Sequence, residues 1–399
     1  MFMKRGLCFL AITMLAILWL SPPAGAAAPP EVVWTGDVYG VDTDDKDTLI
    51  AQNKANWNLL IGNDKGREMI AGAIFEVLKS QESQGKLPFR LKDGSHEKNA
   101  DTGNVDSPMS IVPIVVSAAD FHTKYTLQDG RVLHEYILVS ALDIAFCSVD
   151  SDGLTLRLLG SIPLHFYTEI PESQKVEDMK LLSRVQEQDF YNRYTVEMIK
   201  RHLDFSRVKK LMKHIEDKTE ASETTYQVTD VAISSKKATE LFQGVDGLRA
   251  KYLKKMIADV YTSAYAQRTG NVIYPSLSSG KWTWDAVKRT YALQLNTGHS
   301  GDNKTLVMQK PDNEIKLDVT GVANQEIETK KKSDVNGFML YKVWLKKSPA
   351  EGKETLEASP STTKEFIRSD ENGINQEDQD IYRMLLIDAA YQLGAQKFK

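Results

Sequence analysis

The chain has 399 residues, with 50 Lys+Arg against 54 Asp+Glu and a formal net charge of −4. That balance excludes a nucleic-acid binder working through bulk positive charge, because neutralising phosphates needs an excess of Lys and Arg. Two cysteines, Cys8 and Cys147, are too few for a disulfide-stapled scaffold.

The first 26 residues read as a secretory signal peptide. Lys4 and Arg5 form a basic start, and Gly6–Leu20 is apolar without a single charge. Pro22 and Pro23 break the helix before Ala24-Gly25-Ala26, small residues suited to a signal-peptidase pocket. The apolar run is shorter than the ~20 residues that span a bilayer, which favours a cleaved leader over an uncleaved anchor. Cys8 precedes most of that run, which argues against a lipid-modified N-terminus. Without the leader the chain counts 48 Lys+Arg and 54 Asp+Glu, a net charge of −6. Cys147 then stands alone, so no intramolecular disulfide can form. A chain of roughly 370 residues buries enough core to do without one and suggests two domains, 27–220 and 221–399. The expected location is the periplasm or the secreted space.

After an Ala/Pro tether, Val32–Tyr39 reads as a first strand, followed by an acidic loop through Asp47. Met69, Ile70, Ala73, Ile74, Val77 and Leu78 recur at helical spacing behind Asn63 or Asp64 as cap. The polar stretch Gln81–Ser107 reads as a loop. The period then changes to two: Ile111–Ser117 is a short strand, and Val132–Val149 is a long one, apolar on both faces around Ile137–Ile144, as a doubly covered strand would be. Asp152-Gly153 marks a hairpin turn. The return strand alternates, with Leu154, Leu156, Leu158, Ile162, Leu164 and Phe166 on one face. From Val176 to Lys218 a helical stripe carries Tyr191, Tyr194, Met198, Phe205, Val208, Met212 and Ile215. One helix of that length would span about 60 Å, so a break is expected near Asp204 or Ser206.

The second half opens on the strand Tyr226–Ile233. A helix follows behind Asp246, with Leu248, Tyr252, Met256, Ile257, Val260, Tyr261 and Tyr265 on one stripe. A Ser/Gly/aromatic loop runs from Thr269 to Trp284. Strands are expected at Val287–Leu295, Thr305–Met308, Ile315–Gly321 and Phe338–Leu345, and a closing helix at Glu377–Gln396. Each half therefore reads as strand, helix, long hairpin, helix. Two short echoes, Thr35-Gly36-Asp37-Val38 against Thr229-Asp230-Val231 and Ser161-Ile162-Pro163 against Ser359-Pro360, raise the idea of internal duplication. The fold expected is α+β: two modules, each a mixed, mostly antiparallel sheet with helices on one face.

Asp120 and His122 stand two apart on a strand, with His134 and His165 on strands that follow. N and O donors of that kind suit zinc and would support a metal-assisted hydrolase. No HExxH is present, and His134 and His165 risk falling on opposite faces, so ordinary histidines are the favoured reading. Cys147 lies mid-strand, where a buried hydrophobe is the usual role and an activated thiolate the exception. No Gly-x-Ser-x-Gly, P-loop or dinucleotide glycine pattern is present. The acidic clusters Asp42, Asp44, Asp45, Asp47 and Asp370–Asp380 lack the glycine and glutamate positions of a helix-loop-helix calcium site. Lys200–Lys218 presents a basic face that could touch anionic polymer or lipid.

Tyr274-Pro275-Ser276 and Lys281-Trp282-Thr283-Trp284 make the one segment that points to recognition. Tyr274, Trp282 and Trp284 would offer large aromatic area at low entropic cost; the competing reading is that they plug the core. The functional expectation is an exported, non-catalytic protein that binds an envelope protein or glycan, with no cofactor and no nucleic acid. The alternative is the metal-assisted hydrolase.

Overall fold

The computed structural model describes residues 29–36, 38–40, 64–94, 109–126, 132–149, 155–170, 188–216, 225–242, 248–271, 273–276, 305–308, 311–327, 336–349, 354–367 and 376–396. The chain divides into Met1–Pro30 and Glu31–Lys399, and the second unit is described here. The expected leader and the expected acidic loop Asp42–Asp47 lie outside the described residues, as do Asp152-Gly153 and the expected strand Val287–Leu295.

In the first module, β1 (Glu31–Trp34), β2 (Tyr39–Gly40), α1 (Asp64–Ser83), β3 (Arg90–Asp93), β4 (Met109–Thr126), β5 (Val132–Val149) and β6 (Thr155–Ile170) lead into α2 (Gln188–His202). A 3₁₀ turn at Phe205–Val208 and α3 (Lys209–Glu216) complete it. The second module has β7 (Tyr226–Ile233), α4 (Lys236–Phe242), α5 (Leu248–Thr269) and β8 (Ile273–Tyr274). It continues with β9 (Thr305–Met308), β10 (Asn313–Ile327), β11 (Asn336–Pro349), β12 (Leu356–Ala358), β13 (Ser361–Ile367) and α6 (Gln376–Gly394).

The helical break falls where the length argument places it. Asp204 is extended and accepts a hydrogen bond from Ser206 N at 3.0 Å, capping the 3₁₀ turn. Gln81 of α1 staples the break from outside: its amide nitrogen donates to Leu203 O at 3.2 Å and its amide oxygen accepts from Phe205 N at 2.9 Å. Phe205 thereby enters an aromatic cluster with Phe89 and Phe146.

Two expectations need correction. The stretch Gln81–Ser107 is not all loop, because β3 pairs in parallel with β1; a charged edge strand carries no apolar alternation to betray it. The stretch Ile111–Ser117 is the start of an 18-residue strand, whose pairing with β5 runs on to Thr126↔Val132. Backbone pairing rather than side-chain pattern extends it.

The sheets share one plan. The first runs β3-β1-β4-β5-β6-β9 and the second β8-β7-β10-β11-β12. In each, the opening strand is parallel to both its neighbours, and the three strands β4-β5-β6 and β10-β11-β12 are antiparallel. The register breaks after Val115 in β4 and after Val319 in β10, each the seventh residue of its strand. Thr35 and Thr229 each follow the last regular pair, Trp34↔Ile111 and Val228↔Ile315. The other echo does not hold: Leu142 pairs with Leu164 and Leu345 with Ala358, so Pro163 matches Glu357 rather than Pro360.

The layering differs between the sheets. Leu142, Ile144 and Phe146 face the helices of the first module, and Leu211 of α3 lies over Gly160, where a Cβ would come within 2.7 Å. Ala141, Asp143 and Pro163 face the other way, towards α5. Strand β4 is buried on both faces from Met109 to Val115, and β5 from Ala141 to Cys147. α5 packs on β6 and β7, and α6 on β4 and β11. Among the described residues the first sheet is thus covered on both faces and the second on one, where Ile315, Leu317, Val319, Val343 and Leu345 meet α5 and α6.

Helices wedged between two sheets must be apolar or small nearly all round. α5 complies, being buried without interruption from Val260 to Tyr265. Gly394 of α6 makes the crossing close, since a Cβ there would lie 2.6 Å from Ala264 Cβ and 2.9 Å from Tyr261 O. Lys347 of β11, fully buried, ties the end of α6 to its sheet by donating to Leu393 O at 2.9 Å and to Gln396 O. That is a cation on the carbonyl end of a helix.

The boundary expected at 220/221 does not fully separate the sheets. β9, from the second half, pairs in parallel with β6 and extends the first sheet. Among the described residues, no helix is long and apolar enough to cross a membrane.

Candidate functional site

Ionisable and hydroxyl side chains gather at the seam where α5 lies against the first sheet. Strand alternation supplies one wall. Ala141 pairs with His165 and Asp143 with Pro163, so all four positions share the α5-facing side. Helical spacing supplies the other wall: Lys255, Asp259, Thr262 and Ser263 follow at steps of four, three and one along α5. Ser276, just past β8, closes the end.

The central contact is an ion pair. Lys255 Nζ lies 2.5 Å from Asp259 Oδ2, with side chains 2% and 12% exposed. Ser276 Oγ donates to Asp259 Oδ1 at 3.4 Å. Two charges this far from water persist only because they meet each other and further polar groups. Ser263 is a junction: its hydroxyl oxygen accepts from the backbone N–H of His165 at 3.1 Å and from Gln267 Nε2 at 3.0 Å. Desolvation pushes the His165 imidazole down to about 4; the Asp259 carboxylate opposes this and the Lys255 ammonium reinforces it. At neutral pH the ring is therefore uncharged. The crevice among Asp143, Pro163, Asp259 and Ser276 has room for about one water molecule.

His165 lies opposite Ala141, and His134 opposite Lys124; the side chains of Asp120, His122 and His134 lie outside the described residues. Among the described residues no group of three His, Cys, Asp or Glu could hold a metal ion. Cys147 is buried, and burial drives its thiol pKa far up, the reverse of an activated nucleophile.

Tyr274 also departs from the expectation that it helps form an aromatic platform. Its side chain is 0% exposed, and burial pushes its phenol up to about 12. It anchors the stem of the loop instead. The next residue, Pro275, accepts through its carbonyl from Gln227 Nε2 at 2.8 Å, and Ser276 reaches Asp259. Trp282 and Trp284 lie outside the described residues. Of the acidic stretch Asp370–Asp380, the residues from Gln376 onward begin α6, and the rest lie outside. The basic stretch Lys200–Lys218 spans the capped break between α2 and α3, where Lys200 pairs with Glu76 of α1.

Sequence reasoning missed the seam because its members are scattered from Asp143 to Ser276 and form no motif. One signal was available: Lys255 and Asp259 stand at i,i+4 on α5, the spacing of a helical ion pair. No protein-family model matches the chain, and no curated protein sequence matches it.

Proposed function

We propose that this is an exported binding protein that engages an envelope protein or glycan through the Trp282–Trp284 segment. The observation that carries the reading is the anchored stem. Tyr274, Pro275 and Ser276 fasten the start of that segment to both β7 and α5, by a buried ring and two hydrogen bonds. A binding segment delivered from a rigid base loses less entropy on capture, which favours recognition. The basic, apolar and small-residue order of residues 1–26 supports export. The seam supports a joint rather than a substrate site, since its space is that of about one water and its polar groups hold two modules together. The shared strand order and matched register breaks support the reading that the modules are two copies of one unit.

The test is capture of partners from envelope extracts and glycan arrays by the wild type and by the Trp282→Ala/Trp284→Ala double variant. The expected result is loss of a partner with the melting temperature unchanged. Identical partner profiles would remove the segment from the reading.

A further inference from the structure

We propose that the cavity where α3 and the end of α5 meet beside β6 binds a small uncharged molecule with an apolar body and one hydroxyl or amide group. The inference is independent of the Trp282–Trp284 segment.

α3 and α5 lie on opposite faces of the first sheet, so a cavity lined by both sits at the sheet's edge. β9 covers the outer edge of β6 only from Thr155 to Leu158, and the cavity lies beside the stretch that follows, Ser161–Pro163. Its walls are fixed before any ligand arrives. On one side, Val208 ends the 3₁₀ turn capped by Asp204, and Leu211 rests over Gly160. On the other, α5 stops at Thr269, and Gly270 takes a left-handed conformation (φ 65°) while its N–H donates to Ala266 O at 3.0 Å. Asn271 is then held three ways. Its N–H donates to Thr269 Oγ1 at 3.1 Å, its amide nitrogen donates to Tyr265 OH at 3.0 Å, and its amide oxygen accepts from Lys210 Nζ of α3 at 3.2 Å. A site built in advance loses little entropy on capture.

The side chains that face the cavity set the class of ligand. Ile162, Pro163, Val208, Leu211 and Ala266 make the apolar wall, and among the described residues no charged side chain lines it. A charged ligand would give up its hydration there without compensation. Ser161 Oγ is buried and has no hydrogen-bond partner among the described residues. Gln267 donates its amide nitrogen to Ser263 Oγ at 3.0 Å, which leaves its amide oxygen as an acceptor. A hydroxyl or primary amide offers the matching donor and acceptor. The enclosed space is that of about two water molecules. Water needs about two to four polar partners to be well held, and these walls supply few, so an apolar body displaces it favourably.

Titration of the full chain, with its Ile, Leu, Val and Ala methyls labelled for NMR, by 2-methyl-1-propanol tests the site. Methyl signals of Ile162, Val208, Leu211 and Ala266 are expected to shift saturably, with a Kd of about 1–10 mM for a ligand this small. Isobutyrate, the same skeleton carrying a charge, should bind at least about tenfold more weakly. Ser161→Ala should weaken binding of the alcohol about tenfold, yet leave the melting temperature of the free protein unchanged or raised, because it removes a buried hydroxyl that has no partner. Ala266→Leu fills the cavity and should abolish the shifts; if it fails to fold, Ser161→Ala decides alone. Shifts that grow without saturating would overturn the proposal. So would equal affinity for isobutyrate, a Kd unchanged in Ser161→Ala, or shifts that persist in a folded Ala266→Leu.

Discussion

Replacing Lys255 by Met is the sharpest probe of the seam. The substitution keeps the length and apolar stem of the side chain but removes the ammonium that lies 2.5 Å from Asp259. Asp259 is 12% exposed and then keeps the weak 3.4 Å contact from Ser276. A buried carboxylate stripped of its cation costs about 3–5 kcal/mol. Unfolding entropy of about 2.1 cal/mol/K per residue gives ~0.8 kcal/mol/K for a chain of this length, so the melting temperature should fall by ~4–6 °C. The double variant Lys255→Met/Asp259→Leu removes both charges and should recover most of the loss, because two well-packed apolar groups replace a pair that had to be desolvated. Urea or thermal unfolding of the wild type, both single variants and the double variant completes the cycle. A cost below about 1 kcal/mol for Lys255→Met would refute a desolvated pair. A double variant no more stable than the single would refute the claim that the carboxylate deprived of its cation is the source of the loss.

Three further outcomes follow from other parts of the fold. Gly→Ala should have opposite signs at two helical sites: Gly394→Ala forces a Cβ to within 2.6 Å of Ala264 and 2.9 Å of the Tyr261 carbonyl, and should cost at least ~1–3 kcal/mol in thermal unfolding. Gly72→Ala, on the exposed side of α1 with nothing within 4 Å, should stabilise by ~0.5–1 kcal/mol in the same assay. Lys347→Met should cost ~2 kcal/mol by leaving the last carbonyls of α6 without their donor, read by chemical denaturation at pH 7. Burial pushes the Lys347 ammonium down to about 8 from 10.5, with Glu354 partly opposing. Between those values the unfolded chain binds the extra proton, so wild-type stability should rise as pH climbs from about 8 to 10.5. Lys347→Met should lack that rise. Asp204→Ala should cost ~1 kcal/mol by uncapping the turn at Phe205–Val208, and the helical signal should change little.

Much of the element order was legible in the chain, because burial on one side writes its period into the sequence. Val132–Val149, Tyr226–Ile233 and Thr305–Met308 match their strands end to end, and Ile381, Leu385, Ala389 and Leu393 are all buried along α6. The break at Asp204 followed from length and capping chemistry. What escaped was structure without a period: β3 is four residues of mixed charge at a sheet edge, and α4 is a seven-residue helix that buries only Ala238, Leu241 and Phe242. Tyr274 was misjudged because an aromatic in a polar loop looks the same whether it faces solvent or plugs the joint behind it.

The sequence by itself determined the strand and helix alternation, the capped break and the leader-like start, since each depends on neighbours within a few residues. Tertiary structure alone decided the rest. It showed that α5 and α6 are covered on two sides, and that Lys255, Asp259, Ser263 and Ser276 meet at one seam. The physical reason is that face and partner depend on register. A single bulge, such as the one between Val115 and Ser117, transfers every later side chain to the other side of the sheet.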